Sequence, residues 1–235
     1  MMPCNRKEIK EHSSTGSKAQ SHSLFTQVLK KHVSQNGEVD YIGIQSNRNF
    51  SSYLSQLQSG HPDSKSWSRE ERLAYWINAY NAFTLKLVID HYPVESIKDI
   101  PNCWSREFIQ IEDTKYSLEQ IEHSILRDIY KEPRIHFAIN CASFSCPKLQ
   151  PFAFEAQELE DQLEKVTHSF INDINRNQIS ADKLELSKIF RWFKSDFTNT
   201  SSLKEFIQKY TAVNLDEATK IEYLEYNWEL NEYSP

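Results

Sequence analysis

At 235 residues the chain is long enough to bury one sizeable core without disulfide staples. Its 27 Lys and Arg against 33 Asp and Glu leave a net charge of −6, which excludes a broad phosphate-binding face and makes nucleic acid an unexpected partner. Its four glycines are too scattered for a phosphate-cradling loop or a dinucleotide turn, and its longest apolar stretches, such as residues 85–89, fall far short of the roughly 18 residues of a membrane span.

Residues 1–22 are polar and carry neither apolar periodicity nor a secretory apolar core. The sequence therefore reads as a disordered leader followed by a single domain over residues 23–235, with a cytoplasmic location expected. Cys4, Cys103, Cys141 and Cys146 are too sparse for a disulfide framework and suit reduced thiols. Leu24, Phe25, Val28, Leu29, His32 and Val33 recur at helical spacing and predict a first helix that Asn36-Gly37 stops. An extended piece is expected over residues 39–44, then a second amphipathic helix on Phe50, Tyr53, Leu54 and Leu57 that ends at Gly60-His61-Pro62. The third helix is the most strongly signalled: Ser68 and Glu71 form a capping box, the apolar run continues to Ile89, and Pro93 ends it. Being apolar on most of its circumference, it must be buried on several sides, so Asn78 and Asn81 inside it need hydrogen-bond partners within the protein.

Residues 108–111 and 115–117 predict a small hairpin around Glu112-Asp113-Thr114. Ser117 and Gln120 open a further helix through Tyr130, with Leu118, Ile121, Ile125, Leu126 and Ile129 as its apolar stripe. Residues 135–139, nearly all apolar, read as a strand covered on both faces. The two prolines of CASFSCPKLQP forbid a long helix there, and Leu159, Leu163, Val166 and Phe170 mark the next one. A second hairpin over residues 178–180 and 183–186, a helix over 203–210 and a strand over 221–230 complete the chain. The fold class expected from this order is α+β, a single mainly helical domain with a small mixed or antiparallel sheet.

The densest chemistry lies in Arg134-Ile135-His136-Phe137-Ala138-Ile139-Asn140-Cys141-Ala142-Ser143-Phe144-Ser145-Cys146-Pro147. An imidazole in an apolar run followed by two thiols in a loop combines a base with two nucleophiles, and a nearby imidazole or exposed backbone N–H groups lower a thiol pKa enough to give thiolate. If Pro147 opens a helical turn, Cys146 sits at its N-cap, where negative charge is favoured. Three other readings fit the same residues. One is ordinary core, with free cysteines and a hydrogen-bonded histidine. Another is a Cys2His2 zinc site made by His123, His136, Cys141 and Cys146, against which the C-x4-C spacing counts. The last is a reversible Cys141–Cys146 disulfide. In Ile121-Glu122-His123-Ser124-Ile125-Leu126-Arg127, His123 and Arg127 share a helical face, while Glu122 either orients an imidazole from another element or pairs with a buried arginine such as Arg134. The aromatics of residues 184–197 are expected in the core, with Asp196 capping the next segment or neutralising Arg191.

The succession EERLAYWINAYNAFTLKLV, YSLEQIEHSILR, RIHFAINCASFSCPKL, LELSKIFRWFKSDF and YLEYNWELN resembles, in order and over about residues 24–232, the family catalogued as domain of unknown function 547. The resemblance implies no particular reaction, because the family has no established activity. Plant relatives that look like fusions with a glutaredoxin-like domain or a leucine-zipper segment point to thiol chemistry or to scaffolding. The resemblance also implies that polar residues from separate segments converge on the run from His136 to Pro147. The function expected is a cysteine-dependent enzyme, either a hydrolase or acyl transferase or a thiol oxidoreductase. In it Cys141 or Cys146 attacks, His136 or His123 takes the thiol proton, and Glu122 or Asn81 orients the imidazole. Asn78, Ser145 and the backbone N–H groups of residues 142–145 are the expected oxyanion or substrate contacts. The alternative is a non-catalytic protein-binding or scaffold module in which these groups form a buried polar network. No cofactor is expected, and the partner is an unidentified small molecule or protein.

Overall fold

The structure, a computed structural model, describes residues 19–233, so most of the expected leader lies outside the described residues. Its last part does not: His22 is buried, and its Nδ1 lies 2.7 Å from the Tyr53 hydroxyl. Helix α1 (Ser23–His32) buries Phe25, Val28 and Leu29 as their spacing predicts. Where an extended piece was expected, the chain instead forms the short helix α2 (Tyr41–Gln45), because the Asp40 carboxylate accepts the Gly43 N–H at 2.7 Å and caps it. Helix α3 (Arg48–Gln58) follows, and then α4 (Arg69–His91), on which both capping-box bonds between Ser68 and Glu71 are present.

Every residue of α4 from Leu73 to Leu85 is buried, with α2, α3 and later segments packed around it. This is why its two asparagines matter. The Asn78 amide donates to the Phe154 carbonyl at 2.8 Å and accepts the Phe154 N–H at 2.9 Å. Asn81 likewise donates to the Ala138 carbonyl at 2.9 Å and accepts the Asn140 N–H at 2.8 Å. Each amide thus serves as a two-bond surrogate strand for irregular backbone that has no sheet neighbour at those groups. Asn81→Ala strips both partners of their bonds inside the core and is expected to lower stability by about 2 kcal/mol in urea unfolding. A loss below about 0.5 kcal/mol would show that the backbone groups find other partners.

Strands β1 (Ile109–Ile111) and β2 (Thr114–Tyr116) form the predicted antiparallel hairpin. Ser117 and Gln120 then exchange capping bonds, but residues Gln120–Arg127 wind as a π-helix, with the Asp128 N–H reaching back five residues to the His123 carbonyl. The run expected as a covered strand is the helical turn α5 (Ile135–Ala138). The N–H groups of Ile135, His136 and Phe137 bond back to the carbonyls of Glu132, Pro133 and Arg134, and helix α6 (Leu159–Ile171) packs on the turn. A run of five residues that is nearly all apolar marks full burial, which a covered strand and an enclosed helical turn share.

Strands β3 (Gln178–Ile179) and β4 (Lys183–Leu186) form the second antiparallel hairpin. Short helices α7 (Ile189–Trp192), α8 (Lys194–Phe197) and α9 (Leu203–Gln208) then carry the chain over to β5 (Lys220–Tyr223), which pairs in parallel with β4, as a long crossover allows. The fold is thus α+β, mainly helical, with one two-stranded antiparallel and one three-stranded mixed sheet. Beyond β5 the predicted strand leaves the ladder and is tied instead to the cysteine loop, the Phe144 and Ser145 N–H groups donating to the Glu229 and Asn227 carbonyls at 2.7 and 3.2 Å. No helix of the described residues is long and apolar enough to cross a membrane.

Candidate functional site

The loop after α5 is turned by Asn140, whose side chain accepts the Ala142 N–H and donates to the Pro147 carbonyl, both at 2.8 Å. Ala142 takes a positive φ of 59°, a left-handed conformation that a non-glycine residue adopts at a cost. The reversal brings the Cα atoms of Cys141 and Cys146 to 6.3 Å, and the two sulfurs form a disulfide. Arg176 holds the loop from behind, donating to the Cys146 carbonyl at 2.6 Å and to the Phe144 carbonyl at 2.9 Å. Cys146 is not at a helix N-cap, since residues 147–150 are irregular. Its sulfur accepts instead from the Cys141 N–H at 3.1 Å and the Tyr226 hydroxyl at 3.2 Å. That hydroxyl also lies 3.5 Å from the Cys141 sulfur and accepts from Ser143 Oγ at 3.0 Å.

The disulfide forms part of the wall of a cavity of about 270 Å³, shared with Tyr80, Glu122, His123 and His136 and with five aromatic side chains, Trp104, Trp192, Phe193, Tyr226 and Trp228. Glu122 accepts from the Tyr80 hydroxyl at 3.1 Å, and burial pushes its pKa up to about 7, against the pull of Tyr80 and Arg127. The alternative partner Arg134 is engaged elsewhere, on Glu132 and Glu160. Arg127 donates through Nη1 to His123 Nδ1 at 2.7 Å and grips Asp196 with Nε and Nη2 at 2.6 and 2.8 Å. Asp196 in turn meets His136 Nε2 at 2.8 Å. Burial alone would raise the Asp196 pKa, but hydrogen bonds from Arg127 and His136 outweigh it and hold the carboxyl well below the usual range. Burial holds both imidazoles below their ordinary pKa, for His123 with added repulsion from Arg127 and for His136 against the pull of Asp196.

These partners assign the neutral tautomers. His136 carries its proton on Nε2, facing Asp196, which leaves Nδ1 as its basic nitrogen. His123 accepts at Nδ1 and so carries its proton on Nε2 as a donor. Asp196, expected to cap the next segment or to neutralise Arg191, is the carboxylate that orients an imidazole, in place of Glu122 or Asn81. Asn78 and Asn81 are occupied by backbone partners. Ser145 Oγ accepts the Asn227 N–H at 2.9 Å, and the N–H groups of Ala142, Phe144 and Ser145 all have acceptors within the protein. Asn78, Ser145 and these three N–H groups, expected as oxyanion contacts, are therefore engaged elsewhere. Among the described residues no group of three or more His, Cys, Asp or Glu is arranged to hold a metal ion, which sets aside the zinc reading.

Residues 64–171 match the family model described as Protein of unknown function, DUF547. That stretch, a little under half of the chain, is similar to this family. No curated protein matches, and no solved structure does. The DUF547 match spans α4, the first hairpin, the π-helix, α5, the cysteine loop and α6, and so contains Tyr80, Glu122, His123, His136, Cys141 and Cys146. Trp192, Phe193, Tyr226 and Trp228 come from segments outside it and close the cavity over the matched stretch, and Asp196, also outside it, holds His136. Among the groups that sequence reasoning did not assign to the site, Tyr80 was signalled by its place beside Asn81 on a helix buried all round, where a hydroxyl needs a partner. Nothing local marked Tyr226, whose partner Cys146 is 80 residues away.

Proposed function

We propose that the protein performs thiol–disulfide exchange at the Cys141–Cys146 pair. The observation that carries this reading is the disulfide in the wall of a ligand-sized cavity, with two hydrogen-bond donors aimed at one of its sulfurs. Cys146 is 3% exposed while Cys141 is partly accessible, so the incoming thiolate attacks the Cys141 sulfur. A bond forms between the substrate sulfur and Cys141, the Cys141–Cys146 bond breaks, and its electron pair leaves on Cys146 as a thiolate that the Cys141 N–H and the Tyr226 hydroxyl stabilise. His136 Nδ1 is the base available for the substrate thiol proton. A second substrate thiolate then displaces Cys141 from the mixed disulfide, so two thiols are oxidised to one disulfide and the protein pair is reduced. A disulfide compound restores the pair by the reverse exchange.

The His136–Asp196 pair favours a second reading, acyl transfer by reduced Cys141. The occupied N–H groups of Ala142, Phe144 and Ser145 count against it, because a tetrahedral oxyanion needs free donors. The test uses reduced Cys146→Ser and Cys141→Ser proteins with oxidised glutathione, read by intact mass. Cys146→Ser is expected to accumulate a one-to-one mixed disulfide on Cys141, at least about tenfold faster than Cys141→Ser forms one on Cys146. Equal rates, or a wild-type protein in which no Cys141–Cys146 bond forms under mild oxidation, would overturn the exchange reading. A burst of nitrophenol from a nitrophenyl ester without any exchange would favour acyl transfer.

A further inference from the structure

Three tryptophans, a tyrosine and a phenylalanine converge on the cavity from three separate segments, and none is sealed into the core. Trp192 stacks on Trp228 at 5.8 Å, Tyr226 lies 4.6 Å from Trp228 and 4.8 Å from Trp192, and Trp104 meets Trp228 edge-on at 5.6 Å. Trp192 remains 36% exposed, and Trp104, Phe193, Tyr226 and Trp228 are each partly so. A contiguous set of partly exposed rings around a concavity leaves aromatic surface in water unless a ligand covers it.

The polar groups of the cavity give a charged ligand little to hold. Among the described residues lining it there is no lysine or arginine. Glu122, His123 and His136 already have partners in Tyr80, Arg127 and Asp196. Arg127, the partly buried cation beside His123, uses Nε and Nη2 on Asp196 and Nη1 on His123. Lys98 sits over the Trp228 ring, 4.9 Å from its centroid, and is not part of the cavity wall. The volume, about 270 Å³, lies at the small end for ligand sites and suits a one-ring molecule rather than a peptide.

We infer that the substrate thiol of this site is a small, uncharged molecule carrying an aromatic ring, which stacks on the Trp192–Tyr226–Trp228 wall and presents its sulfur to Cys141. The inference rests on the exchange reading and specifies its substrate class. Ring and sulfur are addressed by different walls of one cavity, so a thiol without the ring reaches Cys141 unpositioned.

The experiment measures reduction of the Cys141–Cys146 bond in the full, oxidised chain by benzyl mercaptan, 2-mercaptoethanol, cysteamine and glutathione. Each rate is divided by the rate of the same thiol with hydroxyethyl disulfide, which removes differences in thiol acidity. Benzyl mercaptan is expected to exceed the other three by at least about tenfold and to saturate, as burial of a ring implies. Trp192→Ala, whose ring is partly exposed and so removable with little effect on folding, is expected to lower that ratio severalfold. Equal normalised rates for all four thiols would overturn the substrate class while leaving exchange in place. Preference for cysteamine or glutathione would overturn it in favour of a charged ligand. If no thiol reduces the bond in the folded protein, the exchange reading fails. Titration of tryptophan fluorescence with benzyl alcohol then decides the ligand class alone: saturable quenching supports an uncharged aromatic ligand, and its absence overturns one.

Discussion

Asp196→Ala is expected to lower the stability of the protein by roughly 2–3 kcal/mol at neutral pH. The carboxylate is the common acceptor for Arg127 and His136, with side chains 22%, 23% and 1% exposed respectively. Its removal leaves a half-buried guanidinium and a buried imidazole without their partner, and full burial would make the loss larger. The effect has a defined pH dependence. The folded Asp196 pKa is depressed, so its contribution is complete above the ordinary carboxylate pKa of about 3.9 and is lost as pH falls below it. The difference between wild type and variant in urea unfolding should therefore hold from pH 7 down to about pH 4 and narrow as the pH falls from there toward about 2. A difference that stays constant over that range would mean that the carboxylate acts by packing and not by charge. The same substitution frees the His136 ring from its tautomer, so thiol exchange should fall even at temperatures where the variant is fully folded.

Glu122→Gln is expected to act in the opposite sense. Burial raises the folded pKa of Glu122 to about 7, so the native protein keeps a proton that the unfolded chain has already released. Its contribution is complete below the ordinary carboxylate range and is lost as pH rises toward and through 7. Between pH 5 and pH 8 the wild type should lose on the order of 3 kcal/mol through this one group. Glutamine is isosteric with the neutral acid, keeps an oxygen for the Tyr80 hydroxyl and does not titrate, so the variant should lose none of it. His22, His123 and His136, whose pKa values burial lowers, weaken the fold as pH falls through about 6.5, but they do so equally in both proteins and cancel in the comparison. Parallel stability curves for the two proteins over pH 5 to 8 would place Glu122 in contact with water.

Most elements with their own local signal stood in the sequence in readable form. Ser68 and Glu71 marked the start of α4, Glu112-Asp113-Thr114 marked the first hairpin, and the spacing of Leu159, Leu163, Val166 and Phe170 marked α6. Errors fell where the local signal was ambiguous. Residues 135–139 read as a strand because nothing in an apolar run says which secondary structure encloses it, and the tail after Tyr223 lost its ladder to bonds with the cysteine loop.

The site divides along the same line. Residue types, their order and the closeness of His136, Cys141 and Cys146 are properties of the sequence, and so is the need of Asn78 and Asn81 for partners, since a polar group on a helix buried all round has no water to turn to. The partners themselves were decided by the tertiary structure. Asp196 reaches His136 across 60 residues, Tyr226 reaches Cys146 across 80, and the aromatic wall is assembled from segments no motif connects. Hydrogen-bond reach is about 3 Å in space and carries no memory of separation along the chain, so only the packing around α4 selects which carboxylate, hydroxyl and ring complete the cavity.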